Sequence, residues 1–227
     1  MKGPILALPG QFTDDGSMAL CLAVALLGSD SDTSLIHPSV VQMNLYRRIT
    51  VRTALNTFIS HYDQAESNKL TSATAYYGNA SNNASGNDSL MRLAPIPLLY
   101  HQDPLNAMIE AVNSSKTTHA SLLCLDCCRV PDGLPNDYWT TKGISPLEPS
   151  VLAVMTGSYK HCNPPQIKAS GFVIETMEAA LWAFYHTNSF QEGALKAVNL
   201  GDDADTVGAI YGMLAGAYHG VNVIPTE

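Results

Sequence analysis

Two stretches constrain this chain more than any others: "TDDGSMALCLAVALLG", Thr13 to Gly28, and "GDDADTVGAIYGMLAGAYHG", Gly201 to Gly220. Each leads carboxylates and a threonine straight into a long apolar run. A helix that is apolar on nearly every face must be buried, so the chain needs a shell of other elements around it. Ser17 to Gly28 predicts such a helix, central in the core, with Gly28 as its C-cap. The second stretch places Gly208, Gly212, Gly216 and Gly220 on one helical face. Each mid-helix glycine costs about 1 kcal/mol relative to alanine, and the close approach of another helix backbone would account for four of them. The sequence thus predicts that these two helices pack side by side.

The rest of the chain supplies the shell. Helical spacing recurs over Ser39 to Tyr62, Pro104 to Ser114, His119 to Arg129, Pro149 to Thr156, Phe172 to His186 and Phe190 to Asn199. No alternating strand pair stands out. Tyr76 to Ser89 is dense in Gly, Asn and Ser, and Val130 to Pro149 holds four prolines and two glycines, so both read as loops. The expectation is an all-α fold in a single domain over residues 1–227.

Charge and cysteine usage narrow the function classes. The formal net charge is −8 and the basic residues are scattered, which disfavours direct nucleic-acid binding. No apolar run approaches membrane-spanning length, and the N-terminal run is too short for a signal peptide. Five cysteines, an odd number, indicate reduced thiols. These features together predict a soluble, cytoplasmic protein. "CLDCC" contains a C-x-x-C near His119 but lacks a matching second pair, so buried helix thiols are expected rather than zinc.

The carboxylates carry the sharper signal. Thr13, Asp14 and Asp15 alone would read as helix capping, because side-chain oxygens satisfy orphan N–H groups at a positive helix end. Asp202, Asp203, Asp205 and Thr206 repeat the pattern at a second apolar helix, which is more than capping requires. Two such mouths brought together would form an oxygen cage suited to Mg²⁺ or Mn²⁺.

Four ordered segments, "GQFTDDGSMALCLAVALL", "SGNDSLMRLAPIPLL", "TTHASLL" and "GDDADTVGAIYGMLAGAYHG", resemble the signatures of the ADP-ribosylglycohydrolases. The resemblance implies an all-α domain with a central di-metal site and the removal of ADP-ribose from modified arginine or serine side chains, or from a related conjugate. It implies that Thr13, Asp14, Asp15, Asp203, Asp205 and Thr206 hold two Mg²⁺ or Mn²⁺ ions, with Asp14 or Asp15 handling the proton. Ser85, Gly86, Asn87, Ser89 and Met91 fall in the segment that wraps ADP-ribose, largely through backbone amides, and His119 matches a histidine near the ligand. The implied partner is ADP-ribose or an ADP-ribosylated protein.

Departures from the family pattern set an alternative. Members usually carry a glutamate on a helix upstream of T-D-D, whereas the twelve residues before Thr13 hold no acidic residue. The alternative is therefore an impaired module that keeps the metal site and binds ADP-ribose. Asp88 stands where a glycine is usual, and a carboxylate there is awkward unless it faces solvent. Asp202 likewise replaces a glycine beside the cage.

Overall fold

In a computed structural model of the chain, the residues described are 13–28, 49–64, 76–130 and 145–224. Nine α-helices lie among them, and the only extended pairings there are two isolated bridges, Asn79 with His119 and Gly86 with Phe172. The all-α expectation holds. The helices are α1 (Asp14–Gly28), α2 (Ile49–Gln64), α3 (Pro95–Leu99), α4 (Pro104–Lys116) and α5 (Leu122–Arg129). They continue with α6 (Pro149–Met155), α7 (Val173–Tyr185), α8 (Phe190–Val198) and α9 (Ala204–His219). None of them is long and apolar enough to cross a membrane.

Local chemistry explains most of the boundaries. Proline opens α3, α4 and α6, where its missing N–H costs nothing. Asp103, Ser121, Glu148 and Ser189 each accept a backbone N–H at the start of α4, α5, α6 and α8. The cap at Ser121 delays α5 to Leu122, so His119 lies outside the helix that the sequence predicts from that residue, in the bridge with Asn79. The predicted helix from Ser39 begins, within the described residues, at Ile49; its earlier part and residues 131–144 of the second loop lie outside them.

The centre of the core belongs to α7 rather than α1. Val173, Ile174, Thr176, Met177, Ala179, Ala180, Leu181, Trp182 and Ala183 are all buried, and α7 packs against α5, α6, α8 and α9. Helix α1 buries Met18, Leu22 and Leu26 against α3 and α9 but leaves Leu20, Val24 and Leu27 exposed at 52%, 67% and 78%. Its apolar character without periodicity concealed which side faces inward.

The glycine ladder also behaves differently from expectation. α1 does touch α9, yet a Cβ added at Gly212, Gly216 or Gly220 would meet nothing within 4 Å. Gly208 alone of the four faces a close neighbour, Val198 Cγ1 of α8, at 2.9 Å from such a Cβ. Close helix packing does require a glycine at Gly193 in α8, where a Cβ would run into the Tyr211 ring. Tyr211 is fully buried and donates its hydroxyl to the Ser189 and Phe190 carbonyls, locking α9 onto the first turn of α8.

Candidate functional site

The mouths of α1 and α9 meet, as the sequence pattern requires. Asp14 and Asp15 occupy the first turn of α1 and Asp205 that of α9, and an oxygen from each carboxylate lies within 4.8 Å of the others. Asp15 is 1% exposed, Asp14 is half-buried and Asp205 is exposed. Burial above all, then the charge of Asp205 and to a lesser degree Asp14, raises the Asp15 pKa from 3.8 to about 6. Hydrogen bonding to Thr13 and Thr206 opposes that rise.

Two details separate this arrangement from helix capping. Asp203 is the N-cap residue of α9 but makes no side-chain capping bond, although four other α-helices among the described residues are capped by side chains. Thr13 Oγ1 donates to Asp15 Oδ2 at 2.9 Å, whereas Asp15 Oδ1 is buried with no hydrogen-bond partner. A buried carboxylate oxygen without a donor, inside a cluster of like charges, is relieved most directly by a cation. The donors are carboxylate and hydroxyl oxygens, with Thr206 fully buried beside them, and hard divalent ions such as Mg²⁺ and Mn²⁺ suit that set.

Asp203 does not join the trio directly. Its backbone N–H donates to the Ala169 carbonyl at 2.8 Å, and its Oδ2 accepts from the Asn87 side-chain amide at 2.7 Å. Asp202 is exposed in the left-handed region with φ 53°, following Gly201 at φ 76°. That conformation favours glycine, and it turns the chain sharply into α9.

The segment from Ser85 to Arg92 is threaded into the interior. Val173 donates to the Ser85 carbonyl at 3.0 Å and Asn87 N–H to the Gly171 carbonyl at 3.2 Å, fixing the segment to the start of α7. Ser85, Asn87, Ser89 and Met91 are all buried: the Ser85 hydroxyl meets that of Ser121 at 2.8 Å, and Ser89 accepts from the Cys128 thiol. Gly86 lies over His119, with its carbonyl accepting from the Cys124 thiol. A ligand on this segment would therefore meet main chain rather than these side chains.

Asp88 faces inward rather than to solvent, and the interior compensates it. At 3% exposure, its Oδ2 lies 3.2 Å from His119 Nε2, within ion-pair distance but out of hydrogen-bond alignment. Arg92, also 3% exposed, donates to the carbonyls of Ser114 and Asp88 and to the hydroxyls of Thr117 and Thr118. Burial lowers the Arg92 pKa, and nearby Cys128 and Asp88 hold it up. Because Arg92 can only donate, Thr118 accepts from it, and the same hydroxyl lies 2.9 Å from His119 Nδ1. Nothing local in the sequence marks this network, since Arg92 and Thr118 are 26 residues apart.

Cys124, Cys127 and Cys128 are buried on α5, as the sequence reading of that segment has them. All five cysteines are free, and burial raises the thiol pKa of Cys124 to about 12 and those of Cys127 and Cys128 as well. No cysteine belongs to a metal-holding group among the described residues.

The described residues thus form an all-α fold with a carboxylate cluster where the mouths of α1 and α9 meet. The sequence model of the ADP-ribosylglycohydrolases matches residues 1–131 and 137–227, and the chain belongs to that family. It is 31% identical over 234 residues to ADP-ribosylarginine hydrolase Tri1 of Pseudomonas putida (strain GB-1), covering 99% of this chain and 63% of that protein. It is 30% identical over 245 residues to the protein of the same name from Serratia proteamaculans (strain 568), covering 98% and 63%. The ADP-ribosyl-[dinitrogen reductase] glycohydrolase of Rhodospirillum rubrum is 28% identical over 220 residues, with 96% and 72% covered. The chain thus spans less than two thirds of the Tri1 proteins' length. Among solved structures, one described as an ADP-ribosylglycohydrolase-related protein complex superposes with a TM-score of 0.74 at 34% identity, covering 96% of this chain and 75% of that one.

Proposed function

We propose that this chain, as a single domain, hydrolyses the glycosidic bond joining ADP-ribose to a modified protein side chain, with arginine the preferred linkage. The observation that carries the reading is the convergence of Asp14, Asp15 and Asp205, with a buried Asp15 oxygen that lacks any donor. The arginine preference is supported by the two relatives named ADP-ribosylarginine hydrolase.

Thr13, Asp14, Asp15, Asp203, Asp205 and Thr206 would hold two Mg²⁺ or Mn²⁺ ions. Bound there, such ions supply Lewis-acid stabilisation to the ribose oxygens as charge develops at the anomeric carbon. Asp15, the most deeply buried of the carboxylates, is best spent on a cation. Asp14, half-buried at the same mouth, would take the proton of an attacking water as the water oxygen bonds to the anomeric carbon. The carbon–nitrogen bond breaks with its electrons to the guanidine nitrogen, which recovers that proton.

The Ser85 to Arg92 segment would offer main-chain N–H groups to the diphosphate, with His119, Asp88 and Arg92 bracing it from behind. Five free cysteines favour a reducing compartment, the cytoplasm, and the net charge of −8 favours protein or small-molecule partners over nucleic acid.

The test is release of free ADP-ribose from arginine-linked and serine-linked ADP-ribosylated proteins, with Mg²⁺, with Mn²⁺ and with chelator. Release from the arginine substrate that chelator abolishes is expected. Absence of release from both substrates overturns the enzymatic reading; ADP-ribose binding retained in that case would identify a binding module instead.

A further inference from the structure

Asn87 belongs to the segment read as ligand-binding, yet its side chain points the other way. It is fully buried, and its amide nitrogen lies 2.7 Å from Asp203 Oδ2, 2.9 Å from Thr176 Oγ1 and 3.5 Å from the Ser170 carbonyl. Thr176 is itself fixed, donating its hydroxyl to the Ser170 and Phe172 carbonyls at 2.7 and 3.0 Å. The Asn87 amide is thus held at the junction of three segments: its own loop, the start of α7 and the mouth of α9.

We infer that Asn87 is a positioning residue for Asp203, setting the orientation of that carboxylate towards the cation site; the inference rests on the metal reading of the site. Three observations carry it. Asp203, the N-cap residue of α9, makes no side-chain capping bond. Its carboxylate instead takes a short bond from a donor with no exposed surface, and a donor so confined cannot follow the carboxylate elsewhere. The Asn87 backbone is pinned as well, by its N–H to Gly171 and its carbonyl to Leu90 and Met91. Outer partners of this kind orient ligating carboxylates, and their loss typically weakens metal binding 10- to 100-fold. The same side chain joins the loop that would meet ADP-ribose to a carboxylate that would meet metal, so movement at one is felt at the other.

The test is Mn²⁺ binding to the full chain, by calorimetry and by the electron paramagnetic resonance of bound Mn²⁺, alongside urea unfolding of the metal-free proteins. Asn87→Ala should weaken Mn²⁺ binding at least tenfold, and the milder Thr176→Val, which removes the amide's second anchor together with that hydroxyl's own bonds to the Ser170 and Phe172 carbonyls, several-fold. In an Asp203→Ala background, Asn87→Ala should change the Mn²⁺ affinity less than twofold. Folded variants with wild-type Mn²⁺ affinity overturn the positioning role and leave the metal site standing. An equal loss in the Asp203→Ala background also overturns it, because Asn87 would then act elsewhere. If Asn87→Ala does not fold, Thr176→Val decides on its own. A wild-type protein that binds no Mn²⁺ overturns the metal reading itself and the role with it.

Discussion

Replacing Asp15 by asparagine should stabilise the metal-free protein at neutral pH while abolishing its response to metal. The magnitude follows from the Asp15 pKa, raised from 3.8 to about 6 by burial and by Asp205. An acid whose folded value lies above its unfolded value holds its proton more tightly when folded. Stability therefore falls as pH rises from about 3.8, and the full deficit is present above about 6. A difference of about 2.2 pH units at about 1.36 kcal/mol each gives about 3 kcal/mol. Asparagine carries no charge, keeps the volume, accepts from the Thr13 hydroxyl as Asp15 does, and can turn its amide towards Asp205. In chelator, the advantage of Asp15→Asn should grow from about 1 kcal/mol at pH 4.5 to about 3 kcal/mol at pH 7.5. The latter corresponds to roughly 6–12 °C in melting temperature for a chain of this size. With Mn²⁺ at about 100 times its dissociation constant, only the wild type should gain, by about 2.7 kcal/mol. Urea unfolding across that pH range, with and without Mn²⁺, reads both effects. A variant less stable than wild type at pH 7.5 in chelator, or equally responsive to Mn²⁺, would refute the claim that unrelieved charge at Asp15 is the mark of a cation site.

Other predictions probe separate parts of the molecule. Asp205→Ala should abolish the metal-dependent rise in melting temperature and Asp203→Ala should reduce it sharply, and an unchanged rise in both would remove the cage. Arg92→Ala should cost about 3–5 kcal/mol in urea unfolding, because it removes a buried positive charge beside Asp88 and the donor to several buried acceptors; a cost below about 1 kcal/mol would show that the network contributes little. Gly193→Ala should destabilise by about 1–3 kcal/mol by forcing the Tyr211 ring aside, whereas Gly212→Ala, with open space around it, should stabilise by up to about 1 kcal/mol. In the native protein at pH 8, a thiol reagent should label Cys21 and Cys162 well before Cys124, Cys127 and Cys128. Early labelling at α5 would contradict its burial.

What could be read from the sequence was local. Proline at a helix start, Ser or Asp before it and apolar spacing within it are signals carried by adjacent residues, so α4 to α8 appear nearly as their sequences suggest. The pairing of "TDD" with "DADT" was legible for a different reason: crowded carboxylates at the start of a buried helix are unfavourable without a counter-charge. What escaped depends on contacts distant in sequence. Gly193 gives no sign of the Tyr211 ring above it, and Asn87, read from sequence as part of the ligand loop, shows nothing of its bond to Asp203, 116 residues away. The ladder from Gly208 misled because helical periodicity shows which residues share a face but not what that face meets.

The two acidic mouths differ in how they are supported, and the difference bears on how the site works. Asp14 and Asp15 ride on the first turn of α1, whose own outer face is exposed at Leu20, Val24 and Leu27. The α9 mouth is built into the core: Tyr211 ties that helix to α8, Asp203 N–H is bonded to Ala169, and Asn87 grips the Asp203 side chain. A cation shared by both mouths would bond the less supported helix to the better supported one, adding a link between elements that otherwise touch lightly. Metal removal should therefore loosen α1 more than α9. Hydrogen exchange with and without Mn²⁺ would show the largest change in α1 amides, and equal change in both helices would mean that the two mouths are independently fixed.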